Sequence, residues 1–225
     1  MFYAAAAAAA TGLLGAYLVH QRRLRQQRDA PWIAGVRNIV EDANPRKQID
    51  LPVQILDHLL LGDKRCAGDL PTLEAFGVTH VLNVAGRHGS TDAGASLASG
   101  HYLQIQADDE EGYPILERHL VEARAFIQRA RESGGRCLIH CQAGINRSGC
   151  LAVAELMLDQ KISVLEAVER GRRARGVILS NHSFQAQLVA LARTHDLLGP
   201  RPEGLAAVEA RKPRKSAADA LRRMS

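Results

Sequence analysis

The chain is poor in cysteine and in aromatic residues for its length. Its 225 residues include four cysteines, one tryptophan and only 4% aromatic residues in total. So few cysteines in a chain of this size argue against a disulfide-stabilised scaffold and for a reducing compartment. None of them forms a Cys-x-x-Cys pair or lies at zinc-binding spacing from a histidine, so neither a metal site nor another cofactor is predicted. Leucine, valine, isoleucine and alanine must therefore build most of the core.

Net positive charge is missing from the middle of the chain. Residues 1–49 hold 7 Lys/Arg and 3 Asp/Glu (+4), residues 50–198 hold 15 and 18 (−3), and residues 199–225 hold 7 and 3 (+4). A nucleic-acid partner would require a basic surface on the folded body. Nucleic acid is therefore unlikely as a partner, and the basic flanks suit a membrane surface or simple solubility better.

Residues 2–19 contain no charged side chain and are followed by Arg22, Arg23, Arg25 and Arg28. A secretory signal peptide carries its charges before the apolar run, whereas this segment carries them after it. Its length is at the short end for a membrane span, and the positive-inside rule would keep the basic flank in the cytosol. We expect residues 1–28 to form an N-terminal hydrophobic helix that acts as a membrane anchor. A low-complexity alanine helix and a cleaved targeting peptide are the alternatives.

The anchor interpretation implies a location on the cytosolic face of a membrane. The segment resembles the signal anchors of the mitochondrial outer membrane, and the endoplasmic reticulum fits almost as well. If residues 1–28 do not anchor the chain, we expect a cytoplasmic protein.

The remaining chain divides into three parts. Pro31, Asn44 and Pro45 with scattered charges predict a linker over residues 29–50. A folded body is expected over residues 51–198. The basic residues after it predict a disordered tail over residues 199–225.

Short apolar segments alternate with amphipathic segments through the folded body. The predicted strands cover residues 53–56, 59–62, 80–85, 102–107 and 137–139, and the predicted helices cover residues 69–76, 114–131, 147–160, 164–175 and 184–194. Residues 86–100 are rich in glycine, serine and aspartate and predict a loop. Alternating strands and helices indicate an α/β fold.

The segment from His140 to Ser148 combines a strand end, a glycine-containing loop and the start of a helix. Backbone amides in such a loop, together with the helix N-terminus, bind anions. The same field would lower the pKa of Cys141 and make it a nucleophilic thiolate. Arg147 can bind two phosphate oxygens with its planar fork. Ser148 can donate a hydrogen bond to the Cys141 sulfur, and we expect His140 to orient the loop rather than act as a base.

These residues match His-Cys-x-x-Gly-x-x-Arg-Ser, by which the chain is identified as a member of the protein tyrosine phosphatase superfamily. Residues 102–109 resemble the strand and loop that carry the general acid in dual-specificity phosphatases. The resemblance extends from about residue 51 to residue 191, with Ser183 in place of a usual glycine. It implies a dual-specificity phosphatase-like fold, in which helices flank a central mixed sheet.

The resemblance also implies roles for individual residues. Cys141 would attack phosphorus to form a phosphocysteine, and Asp109 would act as general acid and then as base, with Asp108 as the alternative. Asn181 would either support the phosphate loop (residues 141–147) or cap the following helix. The residues that would bind phosphate together with Arg147 are Gln142, Ala143, Gly144, Ile145 and Asn146.

The side chains inside the loop bear on the substrate. Phosphoinositide and phosphatidylglycerophosphate phosphatases tend to carry lysine or arginine there, whereas Gln142, Ala143, Ile145 and Asn146 are neutral. The resemblance therefore favours a small atypical dual-specificity phosphatase that acts on phosphoTyr and phosphoSer/Thr in proteins. A phospholipid phosphatase, an RNA 5′-phosphatase and a phosphate-binding pseudophosphatase scaffold are the alternatives.

Two charged groups outside the motif have a simpler interpretation. Glu110 and Glu111 are expected to be solvated. Arg172, Arg173 and Arg175 could contact a second phosphate or an acidic substrate region, but a solvated helix face is the expectation because charge runs are usually of that kind.

Overall fold

A computed structural model describes residues 27–42, 50–95 and 97–202. The strands are β1 (Val53–Leu56), β2 (Leu59–Gly62), β3 (Val78–Asn83), β4 (Tyr102–Gln104) and β5 (Arg136–His140). The first four helices are α1 (residues 27–41), α2 (Lys64–Gly68), α3 (Leu70–Ala75) and α4 (Asp92–Ala95), with a 3-10 turn at Gly86–Gly89. The last four are α5 (Ile115–Glu132), α6 (Arg147–Gln160), α7 (Val164–Arg175) and α8 (His182–Thr194).

The strands form one mixed sheet in the order β1-β2-β5-β3-β4. β1 pairs with β2 antiparallel, whereas β2, β5, β3 and β4 are mutually parallel. β5 is thus the central strand, and it ends at His140 at the same edge as Gly62 of β2 and Asn83 of β3. Ligands of open α/β sheets bind beyond the carboxyl ends of such strands, which places the phosphate loop where a site is expected.

Alternate residues of the central strands pack on opposite faces of the sheet. Leu59, Leu61, Cys137 and Ile139 join the larger core cluster, which includes the buried faces of α5, α6, α7 and α8. Leu60 and Leu138 join a smaller cluster with residues of α2 and α3. The sheet is therefore covered by helices on both faces, which confirms the expected α/β arrangement of a mixed sheet flanked by helices.

The predicted linker is wrong for residues 29–41, which are helical and belong to α1. Val36 is completely buried, and Trp32, Ile33, Ile39 and Val40 pack against the main core. The apolar residues from Trp32 to Val40 are spaced as on one face of a helix. This periodicity predicts a helix more strongly than Pro31 predicts a linker. Of the rest of the predicted linker, residues 43–49 lie outside the described residues, and Asp42 and Asp50 belong to no helix or strand.

Polar contacts also hold α1 against the C-terminal helices. Arg193 of α8 forms an ion pair with Asp29, and Arg172 of α7 donates a hydrogen bond to the backbone carbonyl of Asp42. The folded unit therefore begins well before the predicted boundary at residue 51.

Two predictions concern residues that the structure does not describe. The predicted hydrophobic segment covers residues 1–28, of which the structure describes only residues 27 and 28. The predicted basic tail covers residues 199–225, of which the structure describes only residues 199–202. Among the described residues, no helix is both long enough and apolar enough to cross a membrane.

The region between the second and fourth strands contains more helix than predicted. α2 was not expected; it follows β2 directly because the Asp63 side chain accepts a hydrogen bond from the Cys66 amide at 3.0 Å and caps the helix. Residues 86–100, predicted as a loop, contain the 3-10 turn at Gly86–Gly89 and α4. These are single helical turns, too short for periodicity to reveal.

Candidate active site

The loop between β5 and α6 packs directly on the end of β2. Gly144, in the middle of this loop, has a φ of +65°, and an added Cβ would lie 2.5 Å from the carbonyl oxygen of Gly62. Only glycine suits both the conformation and the space. The Lys64 amide also donates to the Gln142 carbonyl at 3.3 Å. The strand end, the loop and the N-terminus of α6 therefore form the predicted cradle.

Cys141 lies at the start of this loop and is only 2% exposed. The Ser148 hydroxyl donates a hydrogen bond to its sulfur at 3.2 Å. Burial alone would raise the pKa of Cys141, but hydrogen bonds from Ser148 and the Ile145 amide and the charge of Arg147 together outweigh burial and lower it. The thiolate is the nucleophilic form of cysteine, so this environment activates Cys141.

The other three cysteines have the opposite electrostatics. Burial raises the pKa of Cys66 to about 11, and complete burial raises the pKa of both Cys137 and Cys150 as well. All four thiols are free. Cys141 is therefore the one cysteine with a lowered pKa, as the motif predicts.

Arg147 is held at the start of α6 with its side chain largely buried. Its Nη1 donates to the Ala107 carbonyl at 3.2 Å, and its Nε lies 3.9 Å from the Asp109 Oδ2. The Nε itself is buried without a hydrogen-bond partner. A phosphate bound in the loop would supply the missing acceptor, which is the role the motif predicts for this guanidinium.

Asp109 approaches the phosphate loop from the segment after β4. Its two carboxylate oxygens accept hydrogen bonds at 3.3 Å from Asn146 Nδ2 and from Asn181 Nδ2. Asp108 is exposed and makes no hydrogen bond or ion pair to the described part of the loop. The structure thus brings Asp109, and not Asp108, next to Arg147.

Asn181 performs both of the functions that the sequence left open. Its side-chain oxygen accepts from the amides of Ser183 and Phe184 and so caps α8. Its backbone amide donates to the Asn146 Oδ1 at 3.1 Å, which braces the loop. Ser183 fits the turn because its hydroxyl also donates to Asn181, at 2.7 Å.

The family of the chain follows from its similarity to known proteins. A family model for the catalytic domain of dual specificity phosphatases matches residues 59–194. The chain belongs to the dual specificity phosphatase family. The match includes each of the predicted site residues.

Two curated relatives are similar over the same region. Dual specificity protein phosphatase 2 of Mus musculus is 39% identical over 140 residues, which are 62% of this chain and 42% of that protein. Dual specificity protein phosphatase 26 of Bos taurus is 37% identical over 138 residues, 60% of this chain and 64% of that protein. The match therefore spans less than two thirds of either relative.

The fold comparison gives the same family. The crystal structure of human DUSP28 aligns with a TM-score of 0.59 and 27% identity, covering 67% of this chain and 99% of that chain.

His140 is completely buried in this dual specificity phosphatase domain. Its Nδ1 lies 3.2 Å from the Cys141 carbonyl oxygen, and its Nε2 has no hydrogen-bond partner. Burial lowers the pKa of His140 to about 4, so the ring is neutral at pH 7. A neutral ring packed beneath the loop fits the expected orienting role.

Two residues with structural roles at this site were not recognised from the sequence. Glu111, expected to be solvated, accepts from the amides of His182 and Ser183 at 2.8 and 2.9 Å and thereby attaches the Asp109 loop to the N-terminus of α8. Arg175 donates to the carbonyls of Ala143 and Gly144 at 3.0 and 3.1 Å and supports the phosphate loop from α7. Both contacts join segments more than 30 residues apart, which sequence spacing alone cannot show.

The other two arginines of α7 differ from each other. Arg172 is buried and donates to the Gly176 carbonyl at 3.1 Å, so the expected solvated face is wrong at this position as well as at Arg175. Arg173 is exposed and pairs with Glu169 one turn away, as a solvated helix face would.

One group of described residues has the chemistry of metal ligands. His58, Glu155 and Asp159 place their ligand atoms within 4.8 Å of one another. However, Arg124 binds Glu155 at 2.6 Å and Arg131 binds Asp159 at 2.8 Å. Two guanidinium groups already neutralise these carboxylates, so we interpret the cluster as a structural ion-pair network rather than a metal centre.

Proposed function

We propose that the chain hydrolyses phosphate esters of proteins through a phosphocysteine intermediate. The observation that carries this proposal is the lowered pKa of Cys141 beside the guanidinium of Arg147 and within the same site as Asp109. A nucleophile, an anion clamp and an acid are the three groups that metal-independent phosphate ester hydrolysis needs.

In the first step the Cys141 thiolate attacks phosphorus while the bond from phosphorus to the ester oxygen breaks. Protonated Asp109 transfers its proton to the leaving oxygen. Arg147 and the loop amides bind the three non-bridging oxygens and stabilise their charge in the transition state.

In the second step the same carboxylate acts in reverse. Asp109, now ionised, takes a proton from water, and the water oxygen attacks phosphorus. The thiolate leaves, assisted by the Ser148 hydrogen bond to its sulfur. Inorganic phosphate is released, and the enzyme returns to its starting protonation state.

A phosphoprotein is the substrate class that the site favours. Gln142 and Ala143 are exposed at the mouth of the loop and are neutral. A phosphoinositide head group carries further phosphates that would favour cationic side chains at these positions. We propose activity on phosphoTyr and phosphoSer/Thr, with phospholipid and RNA 5′-phosphate as the competing substrates.

The proposal is tested with the purified full chain and an aryl phosphate in the presence of a chelator. We expect hydrolysis that vanadate inhibits and that Cys141→Ser abolishes. The same chain is then compared on a phosphoTyr peptide, a phosphoSer peptide, a phosphoinositide and a 5′-triphosphorylated RNA. Binding without hydrolysis by a folded chain would identify a pseudophosphatase, and faster turnover of lipid or RNA would overturn the proposed substrate class.

We also propose that residues 2–19 attach the protein to the cytosolic face of a membrane, either the mitochondrial outer membrane or the endoplasmic reticulum. Support comes from the uncharged run and the basic flank that follows it. A fluorescent fusion of residues 1–30 should label one of these membranes. A fusion that stays diffuse in cells would contradict the anchor and leave a cytoplasmic enzyme.

A further inference from the structure

A cleft of about 580 Å³ opens beside the phosphate loop. It is lined by Lys64, Arg87, His88, Gln142 and Arg147. No carboxylate belongs to this lining, so the cleft presents three cations, an imidazole and an amide. Its volume falls within the range of about 300–1,000 Å³ that is typical of small-ligand sites.

Lys64 is held at the wall of this cleft by both its backbone and its side chain. Its amide donates to the Gln142 carbonyl at 3.3 Å, and its Nζ donates to the His88 carbonyl at 2.9 Å. An ammonium group carries three protons, of which the contact with His88 uses one. Lys64 therefore has two donors left and a defined position next to the phosphate loop.

Arg87 stands on an equally well-defined turn. The buried side chain of Asn83 donates from its Nδ2 to the Gly86 carbonyl at 2.7 Å. Its Oδ1 accepts from the Ala85 backbone amide at 2.9 Å. Gly86 has a φ of +57°, and an added Cβ would lie 1.7 Å from the side-chain oxygen of Gln106. The Asn83 side chain thus holds the backbone directly before Arg87, and the exposed Arg87 side chain extends from that turn.

No carboxylate in the described part of the chain neutralises either of these cations. The neighbouring Arg65 pairs with Asp63 at 3.0 Å, whereas no described carboxylate forms an ion pair with Lys64 or Arg87. Two unpaired cations on preorganised backbone beside a phosphate-binding loop form a region of positive potential that would attract a second anion.

The cleft and Asp109 both border the phosphate loop, but different segments of the chain contribute them. Arg147 contacts both, since its Nε lies 3.9 Å from Asp109 and its side chain also lines the cleft. A phosphorylated residue bound at Cys141 would therefore have the acid at one side of Arg147, while its flanking residues could reach Lys64 and Arg87.

We propose that Lys64 and Arg87 form a specificity subsite for an anionic side chain close to the phosphorylated residue of the substrate. The preferred substrates are then phosphopeptides with an acidic flank, in which the second anion is a carboxylate or another phosphate. This inference rests on the proposed function, because it names the substrate class of the same site.

The test uses three phosphoTyr peptides of identical sequence except at the flanking positions, which carry Ala, Glu or phosphoSer. Each is assayed with the wild-type chain, Lys64→Gln, Arg87→Gln and the double variant. Arg129→Gln is the matched control, because Arg129 is an exposed arginine of α5 that stacks on Phe126 and does not line the cleft. Circular dichroism checks that every variant is folded.

We expect the wild type to prefer the Glu and phosphoSer peptides over the Ala peptide in kcat/KM, mainly through KM. Each single variant should reduce that preference by about fivefold, the effect of one partly exposed ion pair, and the double variant should remove it. The control should retain the preference, and added salt should weaken it in the wild type. A carboxylate subsite would favour Glu as strongly as phosphoSer, whereas a phosphate subsite would favour phosphoSer alone.

Equal turnover of the three peptides by the wild type, or an unchanged preference in the double variant, would overturn the subsite. If no peptide and no aryl phosphate is hydrolysed, the proposed function fails instead. The affinities of the three peptides for Cys141→Ser would still decide the subsite in that case, because binding requires no turnover.

Discussion

The Ser148 hydroxyl lies 3.2 Å from the Cys141 sulfur and donates a hydrogen bond to it in an almost fully buried position. A buried thiolate is unfavourable unless donors compensate for the lost water. Ser148 supplies one of those donors from the first turn of α6, so the reactivity of the nucleophile depends on the helix that follows it.

Ser148→Ala should therefore raise the pKa of Cys141. The loss of one hydrogen bond to a charged group is expected to shift it by about one unit. The pH dependence of iodoacetamide alkylation measures this shift. Cys66→Ser should leave the profile unchanged, since burial already raises the pKa of Cys66. An identical profile for Ser148→Ala would show that the hydroxyl does not stabilise the thiolate.

Asp109→Asn should lower kcat by about a hundredfold or more, the usual contribution of a general acid and base. The loss should be greatest for alkyl phosphates, whose leaving oxygen needs the proton most, and substrate binding should persist. Asp108→Asn is the matched control, because Asp108 is exposed and forms no hydrogen bond or ion pair with the phosphate loop. If Asp108→Asn loses activity and Asp109→Asn does not, the assignment is in error by one residue.

Glu111 should affect catalysis without touching the substrate. Its carboxylate binds two amides at the N-terminus of α8, where a negative charge is favourable, and so holds the loop that carries Asp109. Glu111→Ala should lower kcat for alkyl phosphates by about tenfold and much less for an aryl phosphate with a good leaving group. Glu111→Gln, which keeps one acceptor, should recover part of the activity.

Glu110→Ala is the control for this prediction, because Glu110 is exposed and no hydrogen bond or ion pair joins its side chain to α8. An equal loss on both kinds of substrate would mean that Glu111 supports the fold in general and does not position the acid.

His140 should make the protein sensitive to mild acid. The folded chain keeps the ring neutral to about pH 4, whereas the unfolded chain protonates it near the ordinary pKa of 6.5. Between these values only the unfolded state binds the proton, so the free energy of unfolding falls as the pH is lowered, by roughly 3 kcal/mol at most.

Urea unfolding at pH 7 and pH 5 measures this dependence. The pH-dependent loss should be smaller in His140→Gln than in the wild type, whatever the stability of the variant at pH 7. His58, His80 and His119 also have pKa values lowered by burial, so some dependence should remain. Equal losses in the two proteins would show that folding does not lower the pKa of His140.

The parts of the site that were predictable are local in sequence. The strand, loop and helix from His140 to Ser148 are contiguous, and the resemblance of residues 102–109 to dual-specificity phosphatases implied Asp109 as the acid, with Asp108 as the alternative. The supports from Glu111 and Arg175 were not predictable, because they link segments that only the tertiary fold brings together.

The boundaries of the fold show the same limit. α1 has a helical apolar pattern, but its proline and scattered charges favour a linker. Only its packing against the core identifies it as part of the folded unit. Single-turn elements such as α2 depend on one capping side chain, Asp63, and leave almost no periodic signal.

The phosphocysteine is the most direct test of the catalytic account. The full chain is mixed with an aryl phosphate in the presence of a chelator, quenched in acid within the first turnovers and digested for mass spectrometry. We predict phosphate on the peptide that contains Cys141, in amounts that increase in Asp109→Asn with a good leaving group, because hydrolysis of the intermediate is slowed. Phosphate on a different residue, or hydrolysis that persists in Cys141→Ser, would contradict the account.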